Sequence, residues 1–325
     1  MNISNLIQNN YDSIKQKKNF YNHQNLLIVG ANTSGKSKYI KDFIKKINLS
    51  ECNYYFIDTT NRTIPLGLNQ ERNNTFYDLD ISDIRNERNK NNNFNKKDIF
   101  TSIYGPEILE NSLIQNLEYY SNLFKVVLEI TLSQDVSSNS NPGIVNDLTN
   151  EISSLKINNH NLDQVSNGIQ AQLRMLMEID FAIKNHIDDR PFIIFIDEVN
   201  ISLDSVNSWK FIQRIMERYA NIRFIFTSLS AYTALGLDNV DIIKLDKDPH
   251  FYQIFDSCDL DSIDFIDRTI FSFEEKVNQI DICISNAIKK KTLNVDFSDE
   301  IETLDSFYDK FSIKQKLAYK FLKDR

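Results

Sequence analysis

Gly30-Ala31-Asn32-Thr33-Ser34-Gly35-Lys36-Ser37 has the residue types and spacing to hold a chain of phosphates. Its two glycines let the backbone curl so that successive N–H groups face inward, and a helix starting at Lys36 would turn its positive end toward the same anion. Lys36 would reach the β and γ phosphates of a nucleotide, and the Ser37 hydroxyl, one residue into the helix, would ligate magnesium. The flanking sequence suits this chemistry. Four apolar residues, Leu26-Leu27-Ile28-Val29, run directly into Gly30, as a buried strand feeding a turn and then a helix would.

A second constellation, Asp197-Glu198, follows the apolar run Phe192-Ile193-Ile194-Phe195-Ile196. A buried strand here would deliver both carboxylates to the carboxyl edge of a parallel sheet, where ligands of α/β proteins bind. Asp197 would hold magnesium, commonly through its water, and Glu198 would polarise an attacking water as general base. Together the two constellations make ATP and Mg2+ the expected cofactors. The four histidines are scattered without metal-ligand spacing, so no metal beyond magnesium is expected.

These residues need strands and helices to position them. Apolar spacing predicts a short amphipathic helix over residues 3 to 17, strands at 26–29, 54–57, 192–196, 223–226 and 242–245, and helices at 36–47, 168–185 and 206–219. Strands alternating with helices imply a doubly wound parallel sheet. Residues 70 to 100, rich in Asn, Arg and Lys, read as a mobile surface loop, and the periodicity of 107–132 reads as helical. The expected organisation is a first part of the core over 1–74, an inserted helical arm over 75–160, a second part of the core over 161–254 and a helical C-terminal appendage over 255–325.

Composition narrows the function classes. The net charge of −8 gives no global signature of a nucleic-acid coat; Lys289-Lys290-Lys291 with Lys96 and Lys97 could touch nucleic acid, but charge runs this short read first as solvated faces. The acidic group Asp256, Asp259, Asp261, Asp264 and Asp267 reads as a solvated helix rather than a nuclease site. Cys52, Cys258 and Cys283 are odd in number and widely spaced, and are expected to be reduced, structural thiols. With no signal-type segment and no apolar run of membrane-spanning length, a cytoplasmic location without direct membrane insertion is expected.

Val165-Ser166-Asn167-Gly168-Ile169-Gln170, running into Ala171 to Met177, resembles the signature motif of ABC-type ATPases, especially their RecF, SMC and OLD-like AAA-family branch. Asp197-Glu198-Val199-Asn200-Ile201-Ser202-Leu203-Asp204 looks like the Walker B and D-loop unit of the same class. The order of phosphate loop (Walker A), insertion, signature, acidic strand and D-loop, over residues 26 to 246, is more specific than any one motif.

This resemblance implies an α/β P-loop NTPase fold of RecA/ABC-like type and ATP hydrolysis. It also implies an ATP-dependent head-to-tail homodimer, in which Ser166 and Gly168 of one protomer close on the γ phosphate held by the other and Asp204 lies at the interface. A protein partner driven or gated by dimerisation, in DNA repair or phage defence, follows from the same likeness. Alternatives are a nucleotide-gated scaffold with little turnover and the nucleotide-binding subunit of a transporter.

The sequence departs from the family where its switch histidine is expected, in Thr227-Ser228-Leu229-Ser230, with Leu229 at that place. Slow hydrolysis is the consequence, with Thr227 or Ser228 as the polar residue that would bond the γ phosphate. Phe20 and Tyr21 are the candidates for stacking on adenine, and Gln70 for sensing magnesium.

Overall fold

The computed structural model describes residues 3–58, 75, 78–90, 108–137, 151–161, 164–186, 188–200, 203, 205–245, 252–259, 279–292, 296–306, 308, 311 and 313–323. Its strands are β1 Asn25–Val29, β2 Asn53–Asp58, β3 Leu132–Ser137, β4 Glu151–Ile157, β5 His160–Asn161, β6 Phe192–Asp197, β7 Arg223–Ser228, β8 Val240–Leu245 and β9 Tyr252–Asp256. Its helices are α1 Ile3–Lys15, α2 Lys36–Lys46, α3 Ile81–Asn89, α4 Ile108–Gln115, α5 Leu117–Leu128, α6 Asn167–Lys184, α7 Ser205–Arg218, α8 Gln279–Thr292, α9 Ser298–Asp305 and α10 Ile313–Lys323.

The central sheet runs β2-β6-β7-β1-β8-β9. β2, β6, β7, β1 and β8 are parallel, and β9 closes the edge antiparallel to β8. The parallel strands are buried along almost their whole length, which is why they read as continuous apolar runs. Alternate residues supply the two faces. Leu26, Ile28, Tyr54, Phe56, Ile193, Phe195, Ile225 and Ile243 pack with Leu6 and Ile7 of α1 and Tyr39, Ile40 and Phe43 of α2. On the other face, Tyr55 meets Phe181 of α6 edge to face, with ring centroids 6.2 Å apart. The expected α/β fold, a largely parallel sheet flanked by helices, is therefore the one observed.

The chain forms two compact units, Met1–Ile266 and Asp267–Arg325. The second is helical around Ile284, Ala287, Leu304, Phe311, Tyr319 and Leu322. β9 and the 3-10 turn Ser257–Asp259 belong to the first unit, so the sheet continues past residue 254, where a helical appendage was expected to begin.

Two further expectations are corrected. Within 75–160 the structure holds α3, α4 and α5 but also the antiparallel sheet β3-β4-β5, so this insertion is not purely helical. Within 70–100 the polar stretch contains α3, capped by the Asp80 carboxylate on Ser82 N–H, rather than a continuous loop. Tertiary burial stabilises that helix. Ile84 is buried, and Arg88 donates to the Phe56 carbonyl of β2 and pairs at 2.8 Å with Glu178 of α6.

Candidate functional site

Because β1, β2, β6, β7 and β8 are parallel, their carboxyl ends share one edge of the sheet. Across that edge the strands end in Asp58, Asp197, Ser228, Val29 and Leu245, in the order β2, β6, β7, β1, β8. The turn from β1 into α2 contains two left-handed residues, Thr33 with φ 70° and Gly35 with φ 96°. A turn that alternates hand in this way points backbone N–H groups into one concavity, and α2 adds its positive end.

Gly30 is required by crowding rather than by dihedral. A Cβ there would lie 2.5 Å from Ser34 Oγ and 2.6 Å from the Leu245 carbonyl oxygen. Ala31, Asn32 and Thr33 are exposed, so the rim of the loop faces solvent.

Lys36 is buried, and its ammonium donates to the carbonyls of Gly30 at 2.8 Å and Ala31 at 3.1 Å. Burial lowers its pKa, while the charges of Glu198 and Asp197 act in the opposite direction. Ser37 Oγ donates to Asp197 Oδ2 at 2.7 Å, so the first turn of α2 reaches over β7 to the acidic strand. The Ser37 hydroxyl and a carboxylate oxygen thus meet where a hard, oxygen-seeking cation would be held. Ser34 Oγ is buried without a hydrogen-bond partner, beside the cradle that a Cβ on Gly30 would fill. An unsatisfied hydroxyl and a crowded glycine within an N–H-lined turn fit an anionic ligand such as a nucleotide phosphate.

Thr227 organises the acidic pair. Its hydroxyl donates to Asp197 Oδ1 and accepts from the Glu198 N–H at 2.7 Å, and its carbonyl accepts from Val199 N–H. Glu198 has φ 53°, a left-handed conformation that non-glycine residues seldom adopt and that Thr227 helps to hold. The pKa of Glu198 is raised, first by burial, then by the neighbouring Asp197, with Lys36 opposing and Asp58 adding to the rise. A raised value suits a residue that must accept a proton near neutrality.

Three features go beyond the reading of the sequence. Asp58 is buried at the end of β2 in register with Asp197, making a third carboxylate on this edge. The apolar spacing places the strand at 54–57, one residue short of Asp58; an acid closing a buried apolar run is the available signal. Asn200 Oδ1 accepts from Leu229 N–H at 3.1 Å and lies 3.0 Å from Ser228 Oγ. Thr227 was considered for the γ phosphate rather than as the partner of Asp197.

The other expected residues are placed as follows. Thr227 and Ser228 are fully buried, with Ser228 Oγ among Asn200, Ser230 and Thr233, so both hydroxyls are engaged within the protein. Ser166 caps α6, accepting from Ile169 N–H at 3.4 Å; it is exposed, and Gly168 is half-buried on the first turn. Phe20 is core, packed under the Arg223 guanidinium at 5.6 Å. Arg223 begins β7, at the edge opposite the phosphate loop, so Phe20 is not placed to stack on adenine. Tyr21 is exposed, with its N–H on Asp241 at the start of β8.

Asp204, Gln70, Lys96 and Lys97 lie outside the described residues. Lys290 pairs with Glu300, and Lys291 donates to the Phe321 and Leu322 carbonyls, so these two cations are engaged inside their own unit. Among the described residues no helix is long and apolar enough to cross a membrane.

Fold and site together define an α/β protein in which a glycine turn and acidic strand ends converge on one edge of a parallel sheet. Among solved structures the chain is similar to cbiO1 from Clostridium perfringens, part of the ABC transporter complex cbiONQ. That match has 9% identity and a TM-score of 0.37, covering 79% of this chain and 87% of that one. It is also similar to an SMC head bound to the C-winged helix domain of ScpA, with 15% identity and a TM-score of 0.32, covering 71% and 89%. No protein-family model and no curated protein matches the sequence.

Proposed function

We propose that this protein binds Mg·ATP at the β1–α2 turn and hydrolyses it slowly as an ABC-type ATPase. The observation that carries this reading is the meeting of Ser37 Oγ with Asp197 Oδ2 at 2.7 Å beside the buried ammonium of Lys36. Two segments 160 residues apart in sequence thus meet at one edge of the sheet. Phosphates would sit on the N–H groups of Gly30 to Ser37, with Lys36 exchanging its loop carbonyls for β and γ oxygens. Bound Mg2+ would neutralise phosphate charge, held by Ser37 and Asp197. Glu198 would take the proton of the attacking water as the bond from the γ phosphorus to the β–γ bridging oxygen breaks, giving ADP and phosphate.

Ser166 and Gly168 are exposed or half-buried at the start of α6, where a second protomer's nucleotide could reach them. This supports ATP-dependent homodimerisation as the working cycle, with a protein partner moved by it. Calorimetry should detect Mg·ATP binding to the wild type and binding at least about tenfold weaker to Lys36→Ala. Gel filtration with ATP should show a Glu198→Gln dimer. Absence of binding heat in the wild type overturns the nucleotide site; binding with only monomer overturns the dimer.

A second reading is a nucleotide-gated scaffold that scarcely turns ATP over. It is favoured by Leu229 at the switch position and by the engagement of Thr227 and Ser228 with Asp197 and Asn200. Brisk hydrolysis by the wild type, unchanged in Leu229→His, would remove it.

A further inference from the structure

We propose that His23, Asp256 and Cys258 form a binding site for a zinc-class divalent transition metal, apart from the nucleotide edge. One ligand atom from each, the imidazole nitrogen, a carboxylate oxygen and the thiol sulfur, lies within 4.8 Å of the others. Spacing along the chain could not reveal this trio, because His23 precedes β1 while Asp256 ends β9 and Cys258 follows in the 3-10 turn. The site revises the expectations that Cys258 is a purely structural thiol and that no metal beyond magnesium is bound.

The ligand-bearing segments are held in place before any ion arrives. The carboxylate of Asp241, buried at the start of β8, accepts the N–H groups of Tyr21, Asn22 and His23 at 3.0, 3.1 and 3.0 Å. Three bonds to one carboxylate fix the loop that presents the His23 ring. Asp256 stands opposite Asp241 in the β8–β9 ladder, so the second segment is set by strand register. Its carboxylate is oriented by Asn22 Nδ2 at 3.0 Å and by Cys258 N–H at 3.0 Å. Outer hydrogen bonds of this kind orient ligands and raise metal affinity.

The three donor atoms are near enough to one another for a single ion to draw them together. His23 Nε2 lies 2.9 Å from Asp256 Oδ1, a separation bridged by a proton. Zinc bonds of about 2.0 Å to nitrogen and oxygen and about 2.3 Å to sulfur set the donors roughly 3.3–3.6 Å apart. Binding therefore asks the His–Asp pair to open by a few tenths of an ångström. The ion takes the place of the proton between His23 and Asp256, and that proton and the thiol proton both pass to solvent.

The mixed donor set selects the metal class. Magnesium and calcium prefer all-oxygen shells, whereas imidazole, thiolate and carboxylate together suit Zn2+ and its spectroscopic surrogate Co2+. Cys258 is exposed and the half-buried His23 and Asp256 leave one side of the trio open, so solvent can fill the fourth position.

Titration of the untagged full chain with Co2+ tests the site. The expected result is a thiolate-to-cobalt charge-transfer band saturating at one equivalent, displaced by Zn2+ and unaffected by excess Mg2+. Cys258→Ser should abolish the band, His23→Ala should weaken Co2+ binding at least tenfold, and Cys283→Ser should change nothing. A wild type without the band overturns the proposal, as does a band that survives Cys258→Ser or is undiminished in His23→Ala. Cys258 is exposed, so its serine variant reads ligation rather than folding.

Discussion

Lys36, Gly30 and Glu198 each make a different demand on their surroundings, and one substitution at each separates the three. Lys36 offers a charged donor to phosphate, and hydrogen bonds to charged groups contribute about 1.5–3 kcal/mol. Lys36→Ala should therefore weaken Mg·ATP binding by roughly ten- to a hundredfold or more in calorimetry. Gly30 is crowded on both sides, by a flexible hydroxyl and by the rigid Leu245 carbonyl of β8. Gly30→Ala must displace the loop or that strand end, and overpacking of this kind costs about 1–3 kcal/mol, readable in urea unfolding.

Glu198 links the chemistry to stability. Its folded pKa lies above the unfolded value because burial, Asp197 and Asp58 disfavour its charge. Its contribution to stability is complete below the unfolded value and is lost as pH rises through the folded value. Glu198→Gln should accordingly be more resistant to urea than the wild type at neutral pH, with the gap closing in acid, while turnover falls by about 10²–10⁴-fold. Asp58→Asn removes one of the charges that raise the Glu198 pKa, so the acidic limb of the kcat/KM profile should move to lower pH. An unmoved limb would mean that another group titrates there.

Elements differ in how openly the sequence announced them. The parallel strands were plain because burial on both faces leaves little room for polar residues, and Leu26 to Val29 or Phe192 to Ile196 resemble nothing else in the chain. β3 and β4, Leu-Ser-Gln-Asp-Val-Ser and Glu-Ile-Ser-Ser-Leu-Lys-Ile, carry short polar-apolar alternations that a helical reading of the insertion passed over. α3 was hidden for another reason. Ile-Ser-Asp-Ile-Arg-Asn-Glu-Arg-Asn has little apolar surface, and its anchor is a charge whose partner Glu178 lies on α6, beyond the reach of local pattern.

The same distinction explains the site. Residues within one motif, such as Gly30 to Ser37, were legible, whereas Asp58 beside Asp197 and His23 beside Asp256 exist only through sheet register and long-range packing. The Arg88–Glu178 pair shows how much α3 depends on such packing, since Glu178 also receives Arg174 at 3.4 Å and all three side chains are buried. Removing one member of a buried ionic group leaves charge uncompensated and typically costs about 3–5 kcal/mol. Arg88→Met should lower the free energy of unfolding measured in urea by that much. Arg85→Ala, on the same helix but half-buried, should cost distinctly less.

For the molecule as a whole, the division at Ile266 sets which functions can be separated. Every described residue assigned to phosphate, magnesium or general-base work, from Gly30 to Thr227, lies in the first unit. So does the sheet that aligns them, including β9 at its edge. The second unit has its own small core around Ile284, Leu304 and Tyr319. A fragment ending at Ile266 should therefore fold and bind Mg·ATP within about twofold of the full chain, since it keeps the whole sheet and both motifs. A fall of tenfold or more in calorimetry, with the fragment's unfolding transition still cooperative, would mean that the helices α8 to α10 act on the nucleotide edge directly.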